Sequence, residues 1–585
     1  MTSSRSSHPL KVSLIAIVLG LAYVLSLKNQ FVYDDRYLIL TRKLVHDLEN
    51  LSEAFGGQFY RGMNYYRPLS NVSFMLDFRL WGPDPLGFHI TNTILIIAAA
   101  AALYFLLSRL FSSRHEWLAV LVALGFGVHP AVSSVVMAIG ARSDLLCMLF
   151  LLLAYLSYTR TGTTSYLVTL LFFGLALLSK ETAVTFPILI LALDLAVPRY
   201  SPRSREVRHL LLRHSPFWAI LAAYALIRSY VLPSVASELA LDPVITLRSY
   251  LYLFQTSLLP TFSLVYEPFF EDWFSWPKAA AAGGLAVILG TLLKITDRQT
   301  RKESAFWLVW AVVAFLPTSN IFGQETMFDE RYVAFPLIGI ITACGLLIYS
   351  EFYRVKAYPL IKVALYVSLL ALYLGMTVGR TRFWKDDVAF FTRWCETSPT
   401  NPTPYNNLAC AYKQRGDIGM AMKLFEETIQ VSPKNARAYN NLGREYSAQG
   451  QFDRAIELFQ RAVELKPDFA QAYYNLAFVY HVSDQEDLAL KFYEKALLAR
   501  PLYPAALYGA ARIYVETGRS RVSERYYKRA IGIDSEFAPA YIGLSSLYEQ
   551  EGRRTDAVNL LRQVLEFSPG HKKATKSLSR LRLDE

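Results

Sequence analysis

The sequence predicts an all-α protein in two parts, a polytopic membrane domain followed by a solenoid of paired helices. Three observations carry that expectation. The 585 residues are 53% hydrophobic and only 18% charged, unlike a soluble average. Before about residue 380 the apolar residues fall into successive runs near the roughly 20 needed to cross a hydrocarbon core of about 30 Å. From residue 405 the chain instead repeats with a period of 34.

The first apolar run, VSLIAIVLGLAYVLSL, begins at Val12 between Lys11 and Lys28. It has no small-residue cleavage site and is followed by FVYDDR, so it reads as an uncleaved span with a cytoplasmic N-terminus rather than a signal peptide. Further spans are expected near 88–108, 117–130, 144–159, 165–180, 182–197, 214–231, 279–295, 304–317, 332–350 and 359–378. The stretch 244–264 decides the count: 12 if it crosses, 11 if it re-enters or lies along the surface. The basic connectors are Arg109, Arg114 and His115; Arg160; Arg199, Arg203, Arg205, Arg208 and Arg213; Arg298, Arg301 and Lys302; Arg354 and Lys356. They share one side only if 244–264 does not cross, and the positive-inside bias therefore favours 11 spans. The expected organisation is a membrane domain over 1–380 with an external loop at 29–87, a linker at 381–400, five repeats over 401–569 and a capping helix at 570–585.

That placement also accounts for the net charge of +12, which orients spans rather than marking a nucleic-acid partner. With four cysteines, no disulfide framework is implied. The segment 266–277, YEPFFEDWFSWP, falls on the outside as an interfacial belt or as a lid over a site.

In the repeats, Tyr405, Tyr439, Tyr473, Leu507 and Tyr541 open the units, and Gly416, Gly450, Asp484, Gly518 and Gly552 occupy the turns. The second helices carry Ala421, Ala455, Ala489, Ser523 and Ala557, each followed by a large apolar or aromatic residue. This spacing matches the tetratricopeptide pattern, whose chemistry is packing between neighbouring units. Such a stack offers a concave groove for a polypeptide. Asn406, Asn407, Asn440, Asn441 and Asn475 are candidates to hold an acceptor backbone through their amides.

Ionisable residues beside apolar runs are costly and mark sites or internal pairs. Asp34 and Asp35 follow the first span as adjacent like charges, which disfavour double ionisation. The same side is expected to carry Tyr66 and Arg67, Arg142 and Asp144, Lys180 and Glu181, and Glu330 and Arg331. Each pair alone could be a simple interfacial ion pair or polar turn. Together they suggest a carboxylate base beside a cationic clamp for a phosphate leaving group.

FVYDDR, YYRPLS, FHITNTIL with His89, HPAVSSVVMAIGARSDLL, SKETAV, FLPTSN and DERYVAFP, in that order before the repeats, resemble the transmembrane and tetratricopeptide repeat-containing O-mannosyltransferases of the GT-C superfamily. The resemblance implies a GT-C-type membrane domain that uses a polyprenyl-phosphate-linked mannose, dolichyl phosphate mannose in eukaryotes. The acceptor would be a serine or threonine hydroxyl of a luminal or periplasmic protein. It makes Asp34 the general base, with Asp35 assisting acceptor placement. Tyr66, Arg67, His89, Arg142, Asp144, Lys180, Glu181, Glu330 and Arg331 would address the donor. No metal is expected for a monophosphate donor. ARSD departs from the family's GRAD or GRSD at Ala141, and the repeat array is short, which suits a bacterial inner-membrane homologue with periplasmic repeats; an endoplasmic reticulum protein would place them in the lumen. The competing class is a membrane-anchored scaffold or translocation factor without catalysis.

Overall fold

A computed structural model describes residues 8–59, 65–111, 116–196, 207–232, 243–260, 283–284, 287, 290–319, 329–354 and 359–583. Arg114, His115, Arg199, Arg203, Arg205, Lys356 and the segment 266–277 lie outside the described residues. The architecture is all-α: membrane-length apolar helices followed by a tetratricopeptide array. The chain divides into two compact units, Met1–Thr400 and Asn401–Glu585.

In the first unit, six helices among the described residues are long and apolar enough to cross a membrane: His8–Lys28, Pro85–Leu110, Ile139–Tyr158, Leu210–Val231, Glu330–Ser350 and Val363–Trp384. Glu116–Gly127 and Pro130–Met137 meet at 57° and add a seventh if counted as one span. His129 and Pro130 make that break. Proline lacks the amide needed to continue the helical ladder, and the His129 side chain instead accepts the Ala131 N–H at 3.2 Å. Of the remaining expected spans, Phe186–Ala196 has only 11 residues, and Arg298–Phe315 opens on a charged turn capped by Asp297.

The helices of this unit pack through small residues. A Cβ on Gly339 would lie 2.4 Å from the Trp307 carbonyl oxygen, so Arg298–Phe315 and Ala334–Arg354 approach backbone to backbone there, as small residues permit between membrane helices. The segment 381–400, expected as a linker, instead contains the helix Asp387–Thr397, which buries Phe390, Phe391 and Trp394. Three large apolar side chains on one face explain why this segment packs rather than spans a gap.

The repeat unit follows its sequence pattern closely. Ala421, Ala455, Ala489, Ser523 and Ala557 are fully buried, and Phe425, Phe459, Tyr493, Tyr527 and Leu561 pack beside them. Gly416, Gly450, Gly518 and Gly552 adopt left-handed turn conformations, and Asp484 takes the same conformation at φ +56°. The expected cap is the helix Lys572–Leu583, which inserts Ala574, Leu578 and Leu581 into the core of the last repeat.

Candidate functional site

The two adjacent acids separate into different environments. Asp35 is buried, and its carboxylate accepts the N–H of Gly140 at 2.6 Å and of Val32 at 3.2 Å. Burial pushes its pKa up to about 7, opposed by those backbone donors and reinforced by the charge of Asp34. Asp34 stays half-buried on the same turn. Asp35 is thus anchored inward. Its Oδ1 ties the acid loop to the turn that precedes Arg142, and its Oδ2 closes the loop on Val32.

That turn is a junction. Arg142 is fully buried and pairs with Asp77, while its guanidinium also donates to Asn92 Oδ1 at 2.9 Å and to the Phe88 carbonyl at 2.9 Å. Its face covers the rings of Phe74 and Phe88 at 4.9 and 5.6 Å. With its donors directed to Asp77, Asn92 and Phe88, Arg142 sits as a hub between helices. His89, also buried, lies one turn before Asn92 on the same helix. A buried arginine requires such a full set of partners.

The next residues reach outward. Asp144 accepts from Lys180 Nζ at 2.5 Å. Ser143 receives Arg67 at 3.4 Å, and Arg67 also forks onto Glu181, with Nε to Oε2 at 3.0 Å. Burial would push the Glu181 carboxyl up, but Arg67 overrides it and holds the group below its usual range. Arg67 rests over the Tyr65 ring at 4.4 Å, and Lys180 lies 5.6 Å from the Tyr332 ring. Tyr66 is buried, with its ring 6.2 Å from that of Tyr224. Hydrogen bonds and stacking thus interlock FVYDDR, YYRPLS, ARSD, KET and DERY in one unit, although they are up to about 300 residues apart in the chain.

Arg331 pairs with Asp329, Nε to Oδ2 at 2.7 Å, and with Asp144, Cys147, Thr182, Thr318 and Tyr332 it lines a cleft. Glu330 is buried against Arg380, whose Nη1 also donates to the Pro130 carbonyl at 2.6 Å. Among the described residues, no group of three His, Cys, Asp or Glu converges as metal ligands.

Sequence reasoning passed over Asp77, Arg380 and Asp387. The first two had a visible signal, a charge within or at the end of an apolar helix. Asp387 had only its place in a second adjacent acid pair, Asp386 and Asp387, inside the supposed linker.

The repeat asparagines form a ladder. Asn441 Nδ2 donates to Asn406 Oδ1 and Asn475 Nδ2 to Asn440 Oδ1, both at 2.8 Å, and Asn406 lies 3.4 Å from Asn407 Oδ1. Asn440 and Asn475 are buried, so these amides join successive units. Farther along, the ladder positions become Gly509 and Gly543, and the rings of Tyr493 and Tyr527 fill the space.

Fold and sequence together define an integral membrane protein with a C-terminal tetratricopeptide array. Family models of the tetratricopeptide repeat match residues 405–432, 424–457, 470–501 and 508–572, and a TPR repeat model matches 443–482. The chain is a remote homologue of proteins named protein O-mannosyl-transferase. It is 26% identical to F38B6.6 of Caenorhabditis elegans over 71% of this chain and 61% of that protein. It is 27% identical to human TMTC1 over 69% of this chain and 53% of that protein. Mouse TMTC3 is 31% identical over 30% of this chain and 20% of its own length. The chain thus spans between about a fifth and three fifths of these relatives. A crystal structure of MamA protein aligns over 28% of this chain and 90% of that chain, at 26% identity and a TM-score of 0.25.

Proposed function

We propose that this protein is a glycosyltransferase that moves mannose from a polyprenyl or dolichyl phosphate to a serine or threonine hydroxyl of a periplasmic or luminal protein. The observation that carries the reading is the interlocking of the acid loop with the Arg142–Asp144 and Lys180–Glu181 turns beside a cleft lined by Arg331. The names of the remote homologues agree with it.

In this reading Asp34, the less buried acid, takes the proton of the acceptor hydroxyl. The acceptor oxygen bonds to C1 of the sugar, the bond from C1 to the phosphate oxygen breaks, and its electron pair leaves on the lipid phosphate with inversion at C1. Arg67, Lys180 and Arg331 offset the phosphate charge, exchanging part of their present carboxylate partners for it. Arg142 and Asp35 fix the loop from below. No divalent ion is required, since the leaving group is a monophosphate beside several cations.

The proposed topology has 11 crossings, with the acid loop and the repeats on one side. Support comes from the helix Pro243–Leu258. Its Tyr250 ring packs against Phe315 at 5.3 Å, and its Ser257 carbonyl lies 3.3 Å from His129 Nε2. Counted from the basic connectors, Phe315 and His129 are both at outer helix ends, so this helix touches the same level near its middle and at its C-terminal end. The repeats then recruit the acceptor polypeptide.

Purified full-length protein should transfer labelled mannose from the lipid phosphate to a protein acceptor, with or without EDTA. Asp34→Asn should lose nearly all of that transfer while remaining folded. Transfer at the parental rate by Asp34→Asn removes Asp34 as the base, and loss with EDTA that manganese restores removes the metal-free mechanism.

A further inference from the structure

The acid loop is held from a direction the sequence does not announce. Tyr33, immediately before Asp34, has φ +55°, a left-handed conformation that only Asp484 shares among the described non-glycine residues. For a residue with a bulky side chain this conformation is strained, and it persists where surrounding structure imposes it. Here the imposing element is the helix Asp387–Thr397. Asp387 Oδ1 accepts the Tyr33 N–H at 2.8 Å, and Oδ2 pairs with Arg36 Nε at 3.0 Å. The Tyr33 ring packs against Phe390, Phe391 and Trp394, with centroids 6.2, 5.6 and 6.0 Å away. Just before that helix, the Lys385 carbonyl accepts the Gln30 N–H at 2.9 Å.

One carboxylate therefore grips the residues on either side of the acid pair, 33 and 36, while Asp35 anchors the pair to Gly140. Asp34, half-buried, lies between these holds. We infer that Asp387 is a positioning residue for Asp34: it imposes the left-handed turn at Tyr33 that aims the base, and so contributes to turnover without touching substrate. The inference rests on the transferase reading in which Asp34 is the base. It also makes the segment 381–400 part of the catalytic support.

The test compares Asp387→Ala with Asp387→Asn in the full-length protein. The asparagine keeps an oxygen for the Tyr33 N–H but gives up the charge facing Arg36. Misplacing a catalytic group by about 1 Å costs on the order of 100-fold, so Asp387→Ala should lower kcat by about that factor. Its donor KM should stay within about twofold, since no donor contact is removed. Asp387→Asn should remain within about fivefold of the parent in kcat, because the backbone hydrogen bond survives. Hydrogen exchange of a peptide covering residues 29–36 supplies a readout independent of activity: Tyr33 amide protection should fall in Asp387→Ala and persist in Asp387→Asn. The inference is overturned if Asp387→Ala turns over at the parental rate, or if only KM rises. It is also overturned if turnover falls while the Tyr33 amide stays protected. A parent protein that transfers no sugar sinks the transferase reading and the inference with it, whatever the Tyr33 amide reports, whereas an Asp34→Asn variant that transfers at the parental rate leaves the transferase reading standing and overturns the inference alone.

Discussion

Asp35→Asn tests the division of labour within the acid pair. Burial raises the Asp35 pKa from 3.8 to about 7, against the pull of the Gly140 and Val32 donors. A carboxyl raised in the folded state binds its proton more tightly there than in the unfolded chain, so folding is favoured at low pH. The contribution is fully present below about pH 3.8 and is lost as the pH rises through about 7. At 1.36 kcal/mol per pH unit, the full loss is ~4 kcal/mol. Asparagine removes the titration but cannot accept both N–H groups at once, a cost of about 1 kcal/mol. The variant should therefore be the less stable protein at about pH 3.5 and the more stable one at about pH 8.5, with the crossing at about pH 4.5. Denaturant unfolding in detergent at half-unit steps between those values would read the crossing directly. Parental stability that climbs between pH 5 and 8, with the climb abolished by Asp35→Asn, would refute the argument, because it would mean that the two backbone donors outweigh burial.

Removing the charge of Arg380 by Arg380→Met leaves Glu330 buried without its partner and should cost about 3–5 kcal/mol of unfolding free energy, much of it restored in Arg380→Met/Glu330→Leu; an additive double variant would show that the two are not coupled. In the repeats, a Cβ at Gly509 would lie 2.4 Å from the Tyr493 ring, so Gly509→Ala should destabilise the array by about 1–3 kcal/mol in denaturant unfolding. A cysteine introduced by substitution of exposed Lys434 should react with a membrane-impermeant maleimide only from the side that bears Asp34; labelling only from the opposite side would sink the 11-crossing topology and the recruiting role of the repeats.

Local and periodic features were legible in the amino-acid order alone. The 34-residue period specifies each helix pair, its turn and its buried small residue, because these interactions recur between neighbours in the chain. Asp484 in place of a turn glycine was legible in the same way, and it adopts the left-handed conformation its position demands. The apolar runs likewise determined that this is a membrane protein, and the isolated charges flagged Asp34, Arg67, Arg142, Lys180 and Arg331. Partnership was another matter, since opposite charges are interchangeable in a sequence and a pair forms only where packing brings two helices together. Thus Arg142 turned inward to Asp77, Glu330 found Arg380, and the asparagines bonded to one another. The tie between Asp387 and Tyr33 joins residues separated by 354 positions, and no local pattern encodes it. Which of two adjacent acids is buried as an anchor follows from the packed fold, because desolvation depends on what the remainder of the chain places over each carboxylate.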